Sequence, residues 1–244
     1  MNLPTTLTCE RLSLTISNAT YTWEKGNPFW DDETNSVNFV SHARECGAEP
    51  ADVVACMLSW NDGGGADDGT FNYFEIIDYA LRRAKRLLRK IHSDLPNAKI
   101  LVFGLIPPSS TGGCGYNYGA VGSLADMWGA KFYAMDYSNA LEEICLSREF
   151  KDFCYYVDIG PQFDTVYNMP YIMKAVNTRN SINTELLGVN GVHPDTMGYY
   201  QIGDAYYRAL SKVVPMIVNP PATEQPEQIE LNIPNSIKPF ANCT

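Results

Sequence analysis

The residue best suited to chemistry in this chain is His193. It stands in the loop Gly188-Val189-Asn190-Gly191-Val192-His193-Pro194-Asp195, just ahead of a helical run from Met197 to Leu210. An imidazole is the side chain whose ordinary pKa lets it take and return a proton near neutral pH, so His193 is a candidate general base, although a histidine before a proline is on general grounds more often a structural loop residue. Other groups invite narrower readings. Asp62, Asp67 and Asp68 flank Gly63-Gly64-Gly65; carboxylates on a glycine-rich turn suit calcium, but the regular ligand spacing and the closing glutamate of such a loop are absent. Arg82, Arg83, Lys85, Arg86, Arg89 and Lys90 could hold phosphate, yet they alternate with Leu81, Ala84, Leu87, Leu88 and Ile91 at helical spacing, the pattern of a solvated helix face. The 7 cysteines are widely spaced and form no Cys-x-x-Cys pair, which speaks against zinc, redox work and a disulfide framework. No Gly-x-Ser-x-Gly nucleophile elbow occurs.

Acyl transfer needs a nucleophile, a base, a group that orients the base and donors for the oxyanion. The elements must bring these together. Apolar runs at Val53–Leu58, Ile100–Ile106 and about Phe153–Asp158 have strand length, and Leu12–Ser17 alternates like a strand. Residues 4–11 read as the end of a helix, and further helices are expected over Val37–Cys46, about Phe71–Leu95, about Ala130–Ser147 and about Thr196–Val213. Strand runs alternating with helices predict a mostly parallel sheet covered on both faces, a three-layer α/β/α sandwich. Its active groups belong at the carboxyl ends of the strands, where Asn61 and the loop after Ile106 lie. The glycine-rich stretch 109–129 is too long for a tight connection and reads as a cleft-covering insertion. The segment between Asp158 and the His193 loop, rich in Tyr and Asn, reads as irregular.

The 244 residues suit one domain over 1–218, followed by a Pro-rich tail or linker at 219–244. A net charge of −10 argues against nucleic acid or an anionic membrane as partner, since both are bound through cationic surface. No stretch reaches the length of a membrane span, and the N-terminus has no basic region followed by an apolar core, so the chain reads as soluble without a signal peptide.

The pattern Val-His-Pro-x-x-x-Gly-Tyr-x-Gln-Ile-x-Asp-Ala from Val192, together with Leu58-Ser59-Trp60-Asn61-Asp62, resembles the SGNH/GDSL hydrolase family. The resemblance spans most of residues 12–213 and implies a flavodoxin-like order of strands with a serine-ester hydrolysis site. It implies that His193 is the base, that Asn190 orients it where the family has aspartate, and that the Asn61 side chain binds the oxyanion in a Gly-x-Asn-Asp motif whose glycine is here Ser59. Ser17-Asn18-Ala19-Thr20-Tyr21-Thr22-Trp23 is similar to the family's second motif, so Asn18 takes the place of a glycine that donates a backbone N–H. The family's Gly-Asp-Ser turn, which carries the nucleophile after a central first strand, has no counterpart in the chain. The resemblance thus implies that this strand is missing from the given sequence, leaving unpaired edges or forcing its neighbours to pair directly. It implies neither cofactor nor metal. The substrate expected is an ester of a small molecule or a glycan, with Trp23, Trp60 and Tyr116 lining the cleft. A non-catalytic module of the same fold, joined to a larger assembly through the C-terminal tail, is the competing expectation.

Overall fold

A computed structural model describes residues 6–8, 29–60, 72–111 and 127–218 of the chain. Four strands form its sheet: β1 (Thr6–Thr8), β4 (Val53–Cys56), β5 (Lys99–Phe103) and β6 (Cys154–Val157). They lie side by side in the order β1-β4-β5-β6, and all three pairings are parallel, with Thr6 opposite Val53, Val53 opposite Lys99 and Ile100 opposite Cys154. Short strands β2 (Trp30–Asp31) and β3 (Ser36–Val37) form a separate ladder ahead of helix α1 (Phe39–Glu45).

Why the strand runs are continuously apolar is plain from where alternate residues go. Val54, Cys56, Ile100, Val102 and Cys154 enter a core with Ile76, Ala80, Leu87, Leu88 and Ile91 of α2 (Tyr73–Asp94), and with Tyr133, Tyr137 and Leu141 of α3 (Met127–Leu146). Val53, Leu101, Phe103, Tyr155 and Val157 point the other way, onto Ala205, Ala209 and Val213 of α4 (Thr196–Val218). Period-two alternation with both faces covered is the three-layer α/β/α sandwich expected from the sequence. Sequence also placed α2 to within about two residues. Asn72 caps it by accepting from the N–H groups of Phe74 and Glu75, while the Glu75 carboxylate accepts from the Asn72 N–H, a reciprocal box that fixes where the helix starts.

Two expectations need correction. Residues 6–8 are a strand and not the end of a helix: Thr6-Leu7-Thr8 satisfies the backbone groups on one edge of β4, a demand that outweighs local helix signals. The unpaired edge foreseen beside β4 is therefore filled. The Leu12–Ser17 strand lies outside the described residues, as do the tail 219–244 and the middle of the glycine-rich insertion. The second correction is the segment read as irregular. It holds a two-stranded antiparallel ribbon, β7 (Tyr171–Asn177) with β8 (Asn180–Gly188), in which Tyr171 opposes Gly188 and Lys174 opposes Glu185. Both faces of the ribbon are largely exposed, so no period-two apolar signal marks it in the sequence.

The basic run on α2 is a solvated face with local partners. Arg82 pairs with Asp78 at 3.3 Å, Lys90 with Asp94 at 2.5 Å, and Arg89 reaches Glu149 through two nitrogens at 2.5 and 3.0 Å. Among the described residues no helix is long and apolar enough to cross a membrane.

Candidate active site

The loop carrying His193 is built by short-range bonds that its sequence supplies. The Asn190 side-chain oxygen accepts from the backbone N–H groups of Val192 at 3.2 Å and His193 at 2.8 Å, folding the chain into a tight asparagine turn. Two residues beyond His193, the Asp195 carboxylate accepts from the Gly198 N–H at 2.9 Å, and its backbone carbonyl takes the first helical bond, from Tyr199. Asp195 is thus the N-cap of α4. Between these devices His193 is held with its side chain exposed while Gly191 and Pro194 are buried. Asn190 acts on the histidine through the main chain.

Gly198 explains the glycine of the His193 motif. A Cβ there would stand 2.5 Å from the Asn168 carbonyl oxygen and 2.6 Å from the Pro194 Cβ. Only a residue without a side chain lets α4 start so close to the loop before the ribbon. That loop also accepts the Asp195 N–H at the Asn168 carbonyl, 3.1 Å away.

Neighbouring strand ends complete the surroundings. The Gly191 carbonyl accepts from the Ser109 N–H at 2.9 Å, and the Thr111 carbonyl from the Gly188 N–H at 3.3 Å. The segment after β5 is therefore tied to the His193 loop at two points. After β4 the chain turns at Ser59, whose φ of +102° is a conformation that favours glycine. Two tyrosines of α3 hold it there: Ser59 donates its hydroxyl to the Tyr137 oxygen at 2.6 Å, and the Tyr133 hydroxyl donates to the Ser59 carbonyl at 2.7 Å. Trp60 follows, its ring 5.8 Å from that of Tyr133, and its buried indole N–H has no hydrogen-bond partner among the described residues. Both Trp60 and His193 lie on the carboxyl-end side of the parallel strands, where such sheets keep their active groups. Asn61, Asn18, Trp23 and Tyr116 fall outside the described residues, as does the Asp62–Asp68 loop.

One acidic group at this edge was missed from sequence. Asp158 directly follows β6, and burial pushes its carboxyl up, opposed by a hydrogen bond from the Gly160 backbone. Its only sequence signal was a carboxylate ending an apolar run. Beside it, burial pushes the Tyr156 hydroxyl up and the Asp158 charge adds to this. Among the described residues no cluster of His, Cys, Asp and Glu could hold a metal ion.

No family model and no curated protein matches the chain. Several solved structures are similar to it, two of which follow. One is a candidate platelet activating factor from Streptococcus pneumonia, 12% identical with a TM-score of 0.45, the match covering 67% of this chain and 61% of that one. The other is a possible lipase from Chitinophaga pinensis DSM 2588, 16% identical with a TM-score of 0.42, over 72% of this chain and 78% of that one. The chain thus spans about three fifths of the first of these proteins. At this distance neither likeness bears on chemistry, so function rests on the residues.

Proposed function

We propose that this chain belongs to an SGNH-type ester hydrolase acting on a small polar or glycan ester. The observation that carries the reading is Ser59. It occupies the position that the resemblance equates with a motif glycine, and its backbone has the positive φ that favours glycine. A strained turn of that kind after a strand is commonly retained for function, and in the sequence it stands two positions before Asn61.

In the proposed reaction a serine hydroxyl attacks the ester carbonyl carbon while His193 takes its proton. Charge gathers on the carbonyl oxygen, which the Asn61 amide and the backbone N–H at Asn18 stabilise. The tetrahedral intermediate collapses, the bond to the alcohol oxygen breaks, and His193 returns the proton to that oxygen. Water then repeats the sequence on the acyl-serine and releases the acid. Asn190 keeps His193 forward by holding its backbone. No cofactor enters the scheme. The serine is the one participant for which the chain offers no Gly-Asp-Ser turn, and the experiment is chosen to find it.

Fluorophosphonate labelling, read by intact mass and peptide mapping, tests the reading directly. One adduct on a serine in the native chain, lost in His193→Ala, is the expected result. A folded protein that takes no adduct overturns it in favour of a non-catalytic module.

A further inference from the structure

At the same edge of the sheet, the half-buried residue Lys131 has no carboxylate partner among the described residues. Lys131, in the first turns of α3, donates from Nζ to the Ser110 hydroxyl oxygen at 3.1 Å, and its ammonium lies 5.3 Å from the centre of the Trp128 ring. Ser110 is in turn 2.5 Å, oxygen to oxygen, from the Thr165 hydroxyl, and its N–H donates to the Thr165 carbonyl at 2.9 Å. Three segments from different parts of the chain therefore converge on one cation and two hydroxyls.

Three basic side chains of α2 show the contrast, Arg82, Arg89 and Lys90, each of which meets a carboxylate. Withdrawing a cation from water is unfavourable unless something replaces the lost solvation. A hydroxyl and a ring do this only in part, and an ammonium has three donors of which Ser110 uses one. What fits the remaining donors, with two adjacent hydroxyls, is an anionic oxygen group.

We propose that Lys131, Ser110 and Thr165 form a subsite for an oxyanionic group of the ligand, a carboxylate or a phosphate. Trp128 and Phe132, 62% and 51% exposed with ring centres 6.4 Å apart, provide an adjoining wall for its apolar body. The hydrogen bond from Ser109 to Gly191 links this subsite to the His193 loop. Chain geometry keeps the Cα atoms of Ser110 and His193 within roughly 18 Å of each other, so the subsite and the His193 loop share one edge of the sheet. The proposal rests on the hydrolase reading in that it makes the substrate an ester bearing a negative charge.

The test separates binding from turnover. Protein labelled with ¹³Cε-lysine is titrated with inorganic phosphate and, separately, with acetate, the Lys131 resonance being assigned through Lys131→Arg. A saturable shift at Lys131, with a midpoint on the order of 1 mM, is expected for the anion that fits, and which of the two saturates identifies the group. Ser110→Ala should weaken this binding as read at the same Lys131 resonance, and it keeps the test decisive if Lys131→Met fails to fold. In hydrolysis, Lys131→Met should raise KM for 4-nitrophenyl hydrogen succinate roughly tenfold with kcat unchanged, and leave neutral 4-nitrophenyl acetate untouched. Absence of a saturable shift with both anions on folded protein overturns the subsite. So does a fluorophosphonate adduct on Ser110, which would make that serine the nucleophile. Saturable binding without turnover of either ester leaves the subsite standing and removes the hydrolase reading.

Discussion

Ser59 carries a backbone conformation that costs a non-glycine residue about 1–3 kcal/mol. Its two tyrosine hydrogen bonds, each worth roughly 1 kcal/mol, offset that cost without being tied to serine alone, because one of them ends on the backbone carbonyl. Ser59→Gly should therefore stay within about 1 kcal/mol of the native protein in urea unfolding, relief of strain balancing the lost Tyr137 contact. Ser59→Val adds a branched side chain at positive φ and leaves the Tyr137 hydroxyl without its donor, so a loss of about 2 kcal/mol or more is expected. Equal losses in the two variants would mean that the turn is held by the serine hydroxyl and not by its φ. Gly198 sits at the opposite extreme. A methyl group there meets backbone oxygen, and Gly198→Ala should both destabilise the fold by about 1–3 kcal/mol and displace the His193 loop.

Elements differ in how they are held. Strand β5 is buried from Ile100 to Phe103, and hydrogen bonds join it to strands on either side. Among the described residues, the β7–β8 ribbon has only its own cross-strand bonds for support along most of its length, and Ile172, Met173 and Ile182 stand 49%, 56% and 93% exposed. A two-stranded ribbon is marginal on its own in water. Native-state hydrogen exchange should accordingly show the β5 amides opening only with global unfolding, while amides around Asn177 and Asn180 exchange by local opening. Ribbon amides protected as strongly as those of β5 would show that its exposed apolar face is covered in solution. The ends of the ribbon are better tied, since Gly188 and Val189 bond to Thr111 and Pro170, which is why it can project without disturbing His193.

For the molecule as a whole, the carboxylates set the acid response. Asp31 is held down at about 2 by the Ser41 hydroxyl first, aided by the Glu33 and Thr34 N–H groups and the Thr34 hydroxyl against the cost of burial. Its folded pKa lies below the unfolded value near 3.9, so the unfolded chain binds more protons between about pH 4 and 2 and stability falls as the pH drops through that window. Asp31→Asn should flatten this part of the curve of Tm against pH. Asp158 acts with the opposite sign: its raised pKa means that the folded state gives up its proton reluctantly, and stability is lost as pH rises past the unfolded value. Asp158→Asn should raise Tm at pH 7, and an unchanged Tm there would show that the burial of this carboxyl carries no penalty.

Much of the architecture was legible because it follows from patterns of short range. Apolar runs at Val53 and Ile100 and the 3.6-residue stripe of α2 are written in consecutive residues, and such periods act locally. The same holds for the His193 loop, which Asn190 folds and which runs into Asp195, the N-cap of α4, each through a bond between residues three apart. What only tertiary structure decided depends on partners far along the chain. Thr6–Thr8 is a strand because β4 has an open edge, Ser59 keeps its turn because Tyr133 and Tyr137 reach it from α3, and Lys131, with no carboxylate partner among the described residues, meets Ser110, which is itself bonded to Thr165. None of these pairings leaves a periodicity to read, since the groups meet through the packing of helices against a sheet and not through spacing in the sequence. The chain by itself determined which residues could do chemistry; folding decided which of them have neighbours that let them do it.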